Sequence, residues 1–583
     1  MRRCEENTFE AVDGSQIFYR RWPATGSSGD RALILLHRGH EHSGRLQYLA
    51  DELDLPEYSI FAWDARGHGR SPGKRGHAPS VGTLVKDLDA FARHIALQYG
   101  IPAENLAVIG QSIGSVLAAA WAHDYAPRIR ALVLAAPAFR IKLYVPFART
   151  ALRCVSRAFP NFTVKSYVKA RYLTHDIQRA GDYETDSLIT RDISARALLD
   201  FDYTAARIVA DASAIHTPTQ VLISGSDFVV HKKLQRRFLE RLGTDTKEMH
   251  ELPGFYHDTL GEKERHVSIG KARDFILRRF DAAPARPSLA DADRSGPTKQ
   301  EFDRLARPLP AFAPKAAVFG AARLALETGG LLSDGIREGL HTGFDSGSSL
   351  DYIYRNQASG LTPLGKFIDW MYINSLGWRG IRVRKANLEQ MLVRAITELR
   401  TRGMPVEIVD IAAGHGRCVL DSLAKHAAGV DRILLRDYSA SEVEKGSALI
   451  AERGLERIAR FERADAFDRQ SLAALEPRPT LGIVSGLYEL FPDNDALRES
   501  LSGLGAAVRP RGYIVYTGQP WHPQLEFIAR TLTSHRDGKP WVMRRRTQAE
   551  LDELVESAGF QKIDQLTDDW GIFTVSLAQR KAA

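Results

Sequence analysis

Short apolar runs alternate with longer amphipathic stretches along most of this chain, and this alternation limits the folds that it can adopt. In the first half, runs of strand length and composition lie at 32–37, 59–63, 106–110, 131–135 and 220–224. In the second half, they lie at 406–411, 432–437, 481–485, 512–517 and 572–576. The intervals mostly carry helical periodicity. Because strand–helix alternation produces parallel sheets covered by helices on both faces, each half is predicted to be a doubly wound α/β domain.

One segment stands apart in composition and divides the chain. Residues 281–310 are rich in proline, alanine and charged residues, without apolar periodicity until the end of the segment. We expect a semi-rigid linker there, between one domain at 1–280 and a second at 311–583. In open α/β sheets ligands bind beyond the carboxyl ends of the strands, so functional residues are sought in the segments that follow the strands.

Cysteine content and hydropathy exclude several classes of protein. Cys4, Cys154 and Cys418 are far apart and form no CxxC motif, which argues against a disulfide scaffold and a cysteine-rich zinc site. No window approaches about 18 consecutive apolar residues, and the first residues turn acidic without an apolar segment, so neither a membrane span nor a signal peptide is expected. We expect a cytoplasmic protein, and peripheral contact with the inner membrane surface stays open.

The clearest chemical motif of the first half is a G-x-S-x-G turn. It occupies residues 110–114, between the strand 106–110 and a helical run. Small residues are needed in so tight a turn, which lifts the hydroxyl of Ser112 above the sheet at a helix N-terminus. Ser112 is therefore the candidate nucleophile.

A nucleophilic serine needs a histidine base and an acid that orients it, in the chain order serine, acid, histidine. Asp227 follows the strand 220–224, and His257 lies in a loop after a further apolar run. Both stand at predicted strand ends and in the required order. His231 and Asp258 are the neighbouring competitors for these two roles.

The oxyanion of such a site needs two N–H donors. One is expected from Ile113, which follows the nucleophile, and the other from the loop 37–45. That loop also contains His37, His40 and His42. These three lack a fourth ligand and the helical spacing of a zinc protease, so no metal is expected.

The segments 37–45, 64–73 and 110–114 together resemble the monoglyceride lipase and lysophospholipase branch of the α/β-hydrolases. The resemblance covers residues 10–280. It implies an α/β-hydrolase fold, hydrolysis of an acylglycerol or lysophospholipid ester, and a cap at about 138–217. By motif position, it implies that Gly39 provides the second oxyanion N–H.

The chain departs from the pattern of that branch at four positions. Arg38 and His40 stand where the family has glycines, and Gln111 and Ser115 replace the commoner His and Gly. A side chain at position 38 is expected to restrict the backbone of the oxyanion loop. An inactive pseudohydrolase is therefore the alternative interpretation.

The first part of the cap, which begins at Arg140 and ends at His175, concentrates positive charge. It contains eight Lys or Arg residues and no acid, whereas the whole chain has 79 basic and 71 acidic residues, a difference of +8. Six aromatic residues are interleaved with them (Tyr144, Phe147, Phe159, Phe162, Tyr167 and Tyr172). Such a surface suits an anionic lipid surface or a solvated basic face. No nucleic-acid motif accompanies it, so no nucleic-acid partner is expected.

A second glycine-containing turn follows the strand 406–411 of the second half. Gly414 and Gly416 allow close approach of a ligand to the backbone, but Ala412 occupies the first glycine position of a dinucleotide motif, and no P-loop occurs. Asp437 ends the next strand, 21 residues after Gly416. Its two carboxylate oxygens match a vicinal diol such as that of ribose. Asp465 follows the third strand, where an adenine amino group can be read.

This series of strand ends resembles the class I S-adenosylmethionine-dependent methyltransferases over residues 365–577. The resemblance implies S-adenosylmethionine as cofactor, a helical lid at 352–384, and a fourth-strand exit at 485–489 that faces the methyl group. It assigns the remaining roles by motif position: Asp410, Ala412 and Gly414 at the methionine side, Asp437 at the ribose, Asp465 at the adenine, and Ser485 at the methyl group. The sequence does not identify the methyl acceptor.

The order of the two halves resembles a bacterial fusion of an α/β-hydrolase with a class I methyltransferase. This organisation implies a bifunctional enzyme in lipid metabolism. The alternative is a lipid-binding protein of the membrane surface in which one domain is non-catalytic, as a pseudohydrolase or as a sensor of S-adenosylmethionine.

Overall fold

Two units, Met1–Pro287 and Ser288–Ala583, make up the chain. The computed structural model describes residues 1–26, 29–159, 161–166, 168–284, 286–424, 429–536 and 538–582. Each unit contains a central sheet with apolar cores of its own.

The first unit is built on an eight-stranded sheet with the order β1-β2-β4-β3-β5-β6-β9-β10. The strands of this unit, of which β7 and β8 lie outside that sheet, are β1 (Glu5–Glu10), β2 (Gln16–Trp22), β3 (Arg31–Leu36), β4 (Tyr58–Trp63), β5 (Leu106–Gln111), β6 (Ala131–Ala135), β7 (Thr163–Lys165), β8 (Asp192–Ser194), β9 (Thr219–Ser224) and β10 (Lys247–Leu252). Its helices are α1 (Gln47–Glu52), α2 (Val81–Tyr99), α3 (Ile113–Asp124), α4 (Ala148–Ala158), α5 (Ile177–Thr185), α6 (Ala195–Ala210), α7 (Lys232–Arg241) and α8 (Arg265–Asp281).

The inner strands of this sheet are buried on both faces. Successive residues of β3 point to opposite sides, so Ile34 joins one apolar core and Leu33 joins the other. In this sheet the strands β4, β3, β5, β6, β9 and β10 pair in parallel, whereas β1 pairs antiparallel with β2, and β2 with β4. The short strands β7 and β8 form a separate antiparallel pair. The predicted doubly wound α/β class is confirmed. The prediction of a parallel sheet is wrong at the edge formed by β1 and β2. Only one residue of β1, Phe9, is buried, so the segment lacked the continuous apolar run of a central strand.

The second unit contains a seven-stranded sheet with the order β13-β12-β11-β14-β15-β17-β16. Its strands are β11 (Glu407–Asp410), β12 (Arg432–Asp437), β13 (Ala459–Arg463), β14 (Leu481–Val484), β15 (Tyr513–Gly518), β16 (Phe560–Thr567) and β17 (Thr574–Arg580). Its helices are α9 (Pro297–Ala306), α10 (Pro314–Gly330), α11 (Asp334–Thr342), α12 (Gly347–Arg355), α13 (Pro363–Ile373), α14 (Leu376–Thr401), α15 (Arg417–Ala424), α16 (Ala440–Glu452), α17 (Arg469–Ala473), α18 (Asn494–Ala507), α19 (Leu525–Thr531) and α20 (Gln548–Ser557).

The chain order of the second sheet reverses at β11. Strands β12 and β13 extend the sheet on one side of β11, whereas β14 pairs with its other side. The four strands β11, β12, β13 and β14 are parallel, so their carboxyl ends lie at one edge. The last two strands, β17 and β16, are antiparallel additions. Such a reversal point is where open α/β sheets bind ligands.

The predicted lid and linker take definite positions. The lid segment 352–384 lies on α12, α13 and the first half of α14. The prediction of a linker at 281–310 is wrong for the second part of that segment, because α9 lies there. This helix belongs to the second unit, where Leu305 is buried in an apolar core. Pro297 occupies the first turn of α9, and proline is favoured at that position, so the proline-rich composition marked a helix start.

No helix among the described residues has the length and apolar content that a membrane span requires.

A test of this boundary compares two versions of the second unit. A fragment that starts at Ser288 is expected to unfold cooperatively, whereas one that starts at residue 311 loses α9 and the burial of Leu305. Burial of one leucine contributes about 1.5–3 kcal/mol, so the shorter fragment is expected to melt about 5 °C lower. Circular dichroism melting curves measure the difference, and equal melting temperatures would place α9 outside the folded unit.

Candidate functional sites

Three sequence-predicted residues of the first unit form a continuous hydrogen-bonded chain. The Nε2 atom of His257 lies 2.8 Å from the Oγ of Ser112. The Nδ1 atom of His257 lies 2.8 Å from Oδ2 of Asp227. All three side chains are buried. His231, the competing histidine, is exposed and lies outside this chain of bonds.

The turn that carries Ser112 needs glycine on both sides. Ser112 has φ +57° and ψ −114°, a strained conformation between β5 and α3. A Cβ at Gly110 would lie 2.7 Å from the carbonyl oxygen of Gly114, and a Cβ at Gly114 would lie 2.6 Å from that of Leu36. The structure therefore explains why the motif spaces its glycines two residues before and after the serine.

Asp227 is held as a carboxylate. Its Oδ1 accepts hydrogen bonds from the amides of Val229 and Val230, at 2.7 and 2.9 Å. Burial by itself raises the pKa of Asp227, but the His257 ring and these two amides bring it below its ordinary value. The carboxylate can therefore orient His257 and stabilise a positive charge on it.

Ser112 and His257 open into an apolar cavity of about 590 Å³. Gly39 and Ile113, the two residues predicted to provide oxyanion N–H groups, line the same cavity. A Cβ at Gly39 would lie 3.5 Å from Ile113 Cδ1, so the two residues are neighbours. Much of the remaining lining comes from the cap and includes apolar residues of α4 and α6 (Ala148, Ala151, Leu152, Ala197, Leu198 and Phe201).

The departure at Arg38 is part of a buried charge network. The guanidinium of Arg38 makes two hydrogen bonds to Glu41, at 2.9 and 2.6 Å, and lies 3.2 Å from Asp258. Gln111 donates to Asp258 at 2.7 Å, and Arg179 of α5 donates to it at 2.6 Å. Burial alone lowers the pKa of Arg38, but Asp258 and Glu41 raise it above its ordinary value.

The Asp258 carboxylate therefore connects four segments. Arg38 directly precedes the predicted oxyanion residue Gly39, and Gln111 directly precedes the candidate nucleophile Ser112. Arg179 belongs to the cap, and Asp258 itself follows His257. The departures at positions 38 and 111 thus meet at a single acid. The Arg38 side chain, which was expected to restrict the loop, is held by ion pairs with Glu41 and Asp258. From the sequence, Asp258 was considered only as a competing acid of the triad.

The three histidines of the oxyanion loop have different surroundings. The Nε2 of His37 accepts the amide N–H of Ala65 at 3.0 Å, so its Nδ1–H donates to the carbonyl of Arg38 at 2.6 Å. His42 pairs with Asp186 at 2.9 Å. His40 has φ +72°, a region that favours glycine, and burial lowers its pKa to about 4. Within the described ranges, no three His, Cys, Asp or Glu side chains gather as metal ligands.

The basic surface of the cap carries exposed apolar side chains. Tyr144, Val145, Phe147 and Phe159 are all exposed. Some cap cations are paired within the unit: Arg149 with Asp202, and Lys142 with the Asp227 carbonyl oxygen. Tyr167, one of the aromatic residues predicted for this surface, lies outside the described residues.

The glycine turn of the second unit bends around the Asp437 carboxylate. The amide of Gly414 donates to Oδ2 of Asp437 at 2.9 Å, and the amide of Ser439 donates to Oδ1 at 2.9 Å. Gly414 has φ +54° and Gly416 has φ +73°. A Cβ at Gly416 would lie 2.5 Å from Leu435 Cδ1, so this glycine serves the packing of the turn against β12.

Asp410 and Asp437 end adjacent parallel strands and influence each other. Burial and the neighbouring Asp437 raise the pKa of Asp410 to about 7, and burial also raises the pKa of Asp437. A cation placed between these carboxyls would lower both pKa values. The two carboxyl groups therefore offer negative charge and hydrogen-bond acceptors to a ligand that carries positive charge and hydroxyl groups.

The other predicted residues of this site are less closely grouped. The amide of Ala412 donates to Oδ1 of Asp410 at 3.3 Å. Ser485 is half-buried directly after β14. Asp465 follows the edge strand β13, is exposed, and accepts the amide of Phe467 at 2.9 Å. Sequence reasoning missed a buried ion pair at this edge, between Arg384 and Glu489, because an arginine within an amphipathic helix carries no motif signal.

A stability measurement tests whether the network around Arg38 is structural. Arg38→Ala would leave Glu41 and Asp258 buried with fewer cations, and breaking such a pair costs about 3–5 kcal/mol. Arg236→Ala removes an exposed ion pair with Glu251 and serves as the matched control, with an expected cost below about 1 kcal/mol. Denaturant unfolding of the N-terminal unit measures both, and equal stability of the two variants would contradict the role of the network.

Comparison with known proteins assigns a family to each unit. The family model described as "Putative methyltransferase" matches residues 272–580, and the model described as "Serine aminopeptidase, S33" matches residues 27–264. "Uncharacterized protein YnbC" of Escherichia coli is 51% identical over 577 residues, which cover 99% of this chain and 98% of that protein.

Further similarities concern the first unit. "Monoacylglycerol lipase" of Mycolicibacterium smegmatis is 25% identical over 278 residues, 47% of this chain and 96% of that protein. The crystal structure of the Paleococcus ferrophilus monoacylglycerol lipase aligns with a TM-score of 0.41 and 23% identity, over 45% of this chain and 99% of that chain. The chain thus belongs to the methyltransferase family matched at 272–580, and its N-terminal half is an S33 α/β-hydrolase domain.

Proposed function

We propose that the first unit is a serine hydrolase of carboxylic esters. The observation that carries this proposal is the chain of two 2.8 Å hydrogen bonds from Ser112 through His257 to Asp227, which ends in the apolar cavity. The match to a hydrolase family and the similarity to a monoacylglycerol lipase support this proposal.

Each residue has a defined part in the reaction. Ser112 Oγ attacks the ester carbonyl while His257 Nε2 takes its proton, and Asp227 stabilises the resulting imidazolium. The amides of Gly39 and Ile113 donate to the oxyanion. His257 then returns the proton to the leaving alcohol, and a water molecule, deprotonated by His257, releases the acid from Ser112.

The cavity favours a substrate with an acyl chain. Its lining from α4 and α6 is apolar, so transfer of a hydrocarbon chain from water into the cavity is favourable. We propose an acylglycerol or lysophospholipid as the substrate class. We further propose that the protein is cytoplasmic and that the exposed aromatic and basic residues of the cap contact the anionic inner surface of the membrane.

For the second unit we propose methyl transfer from S-adenosylmethionine. When bound, the cofactor supplies an electrophilic methyl group. Asp437 would accept hydrogen bonds from the ribose hydroxyls, Asp410 would face the cationic end, and Asp465 would contact the adenine. Gly414 and Ala412 leave room for the ligand at the turn, and Ser485 would border the methyl group. We propose that both activities serve one lipid pathway.

A fluorophosphonate probe tests the hydrolase. The wild type is expected to be labelled, and Ser112→Ala is expected to lose all labelling because the nucleophilic oxygen is removed. Ser115→Ala is the matched control, since the Ser115 hydroxyl donates to the Gly110 carbonyl oxygen at 2.7 Å and lies outside the triad. Gel fluorescence reads the label, and an unlabelled wild type would overturn the hydrolase proposal.

The raised pKa of Asp410 gives the cofactor site a pH dependence. An acid with a folded-state pKa of about 7 loses its proton as the pH rises through that value, so affinity for cationic S-adenosylmethionine is expected to increase from pH 5.5 to pH 7.5. Asp410→Asn is expected to bind more weakly and to lose this increase. Calorimetry measures both, with Asp421→Asn, an acid on α15 paired with Arg453, as control. A pH-independent affinity in the wild type would contradict the assignment of Asp410.

A further inference from the structure

Arg384, in the middle of α14, is buried with an incomplete set of partners. Its Nη1 donates to Oε1 of Glu489 at 3.0 Å, and its Nη2 lies 3.5 Å from the hydroxyl of Tyr354. Only 3% of Arg384 and 8% of Glu489 is exposed. In the part of the chain that the structure describes, Nε of Arg384 and Oε2 of Glu489 have no hydrogen-bond partner. Buried polar atoms of this kind cost free energy until a ligand or water satisfies them.

The Nε–Nη2 edge of this guanidinium has the geometry of an anion site. Nε and Nη2 form one edge of the planar group. Glu489 accepts from Nη1, Nη2 donates to the Tyr354 hydroxyl at 3.5 Å, and Nε has no partner among the described residues. Two parallel N–H groups match the two oxygens of a carboxylate. Lysine could not offer the same paired donors, so the site requires an arginine.

The position of Arg384 is at the reversal point of the sheet. A Cβ at Gly486, which follows β14, would lie 3.1 Å from Nη2 of Arg384. The guanidinium therefore lies beside the carboxyl end of β14, the strand that pairs with β11.

The strand order arranges the proposed contacts in a line. Asp465 follows β13, Asp437 ends β12, Asp410 ends β11, and Arg384 lies beside the end of β14. Neighbouring strands are about 4.8 Å apart, so the line extends over about 14 Å. A ligand with its adenine at Asp465 and its ribose at Asp437 would bring its opposite end to Asp410 and Arg384.

We propose that the Nε–Nη2 edge of Arg384 binds the α-carboxylate of the amino-acid end of S-adenosylmethionine, and that Glu489 positions the guanidinium for this contact. The proposal rests on the proposed function of the second unit. It adds a cofactor-binding residue outside the glycine turn and assigns a ligand to the guanidinium edge that contains the unpartnered Nε.

Two adenosine ligands test the proposal on the full chain. S-Adenosylhomocysteine carries the amino-acid end, whereas 5′-methylthioadenosine lacks it. Arg384→Gln is expected to weaken binding of S-adenosylhomocysteine by about 10- to 100-fold, the effect of losing charge-assisted hydrogen bonds, and to leave binding of 5′-methylthioadenosine within about twofold of the wild type. Isothermal titration calorimetry measures both affinities.

The controls separate the two proposals. Arg379→Gln changes an exposed arginine of the same helix, stacked on Trp570, and is expected to bind both ligands like the wild type. If the wild type binds neither ligand, the proposed function fails, and this inference fails with it. If the wild type binds both ligands, and Arg384→Gln weakens binding of both equally or of neither, only the role of Arg384 is overturned. This outcome includes the case in which Arg384 binds an anionic group of the methyl acceptor instead of the cofactor.

A second variant covers the loss of folding. Arg384→Gln leaves the Glu489 carboxylate buried without its cation, which can prevent folding. The double variant Arg384→Gln, Glu489→Gln removes both charges. Its retained binding of 5′-methylthioadenosine would report an intact pocket, and a selective loss of S-adenosylhomocysteine would support the proposal. Unchanged affinity for S-adenosylhomocysteine would overturn it.

Discussion

Parallel strands bring their carboxyl ends to a single edge of a sheet, and both candidate sites depend on this constraint. In the first unit, Ser112 follows β5, Asp227 follows β9 and His257 follows β10, so residues up to 145 positions apart meet within hydrogen-bond distance. In the second unit, the same constraint places Asp410 beside Asp437 at the ends of β11 and β12. Neither site could be assembled from a local segment alone.

The two edges differ in how their buried charges are compensated. Around the first site, the carboxylates of Asp258 and Glu41 are paired with Arg38 and Arg179, and this pairing lowers the pKa of both acids. At the second site, burial raises the pKa of Asp410 and Asp437. Paired charges hold the loops of the first site in place before any substrate arrives. Uncompensated acids, in contrast, are the arrangement from which a cationic ligand gains binding energy.

Much of the fold and of the first site could be predicted from the sequence, because those signals are local. The motif at 110–114 is read from five consecutive residues, although the contact that requires Gly114 comes from Leu36 of β3. The central strands are continuous apolar runs. The antiparallel edge strand β1 was missed because only Phe9 in it is buried, and β16 was missed although five of its eight residues are buried. The predicted linker was too long, because composition alone does not distinguish a proline-rich connection from a helix that begins with proline.

The sequence by itself determined the α/β class of both halves, the chain order of Ser112, Asp227 and His257, and the positions of acids at successive strand ends. Only the tertiary structure decided that Arg38 is paired with Glu41 and Asp258, and that Arg384 lies beside β14 with its buried Nε unpartnered among the described residues. The reason is physical: strand and turn signals arise from neighbouring residues, whereas the partner of a buried charge comes from wherever the chain returns in space. An isolated arginine in a helix carries no sign of that partner until the fold is known.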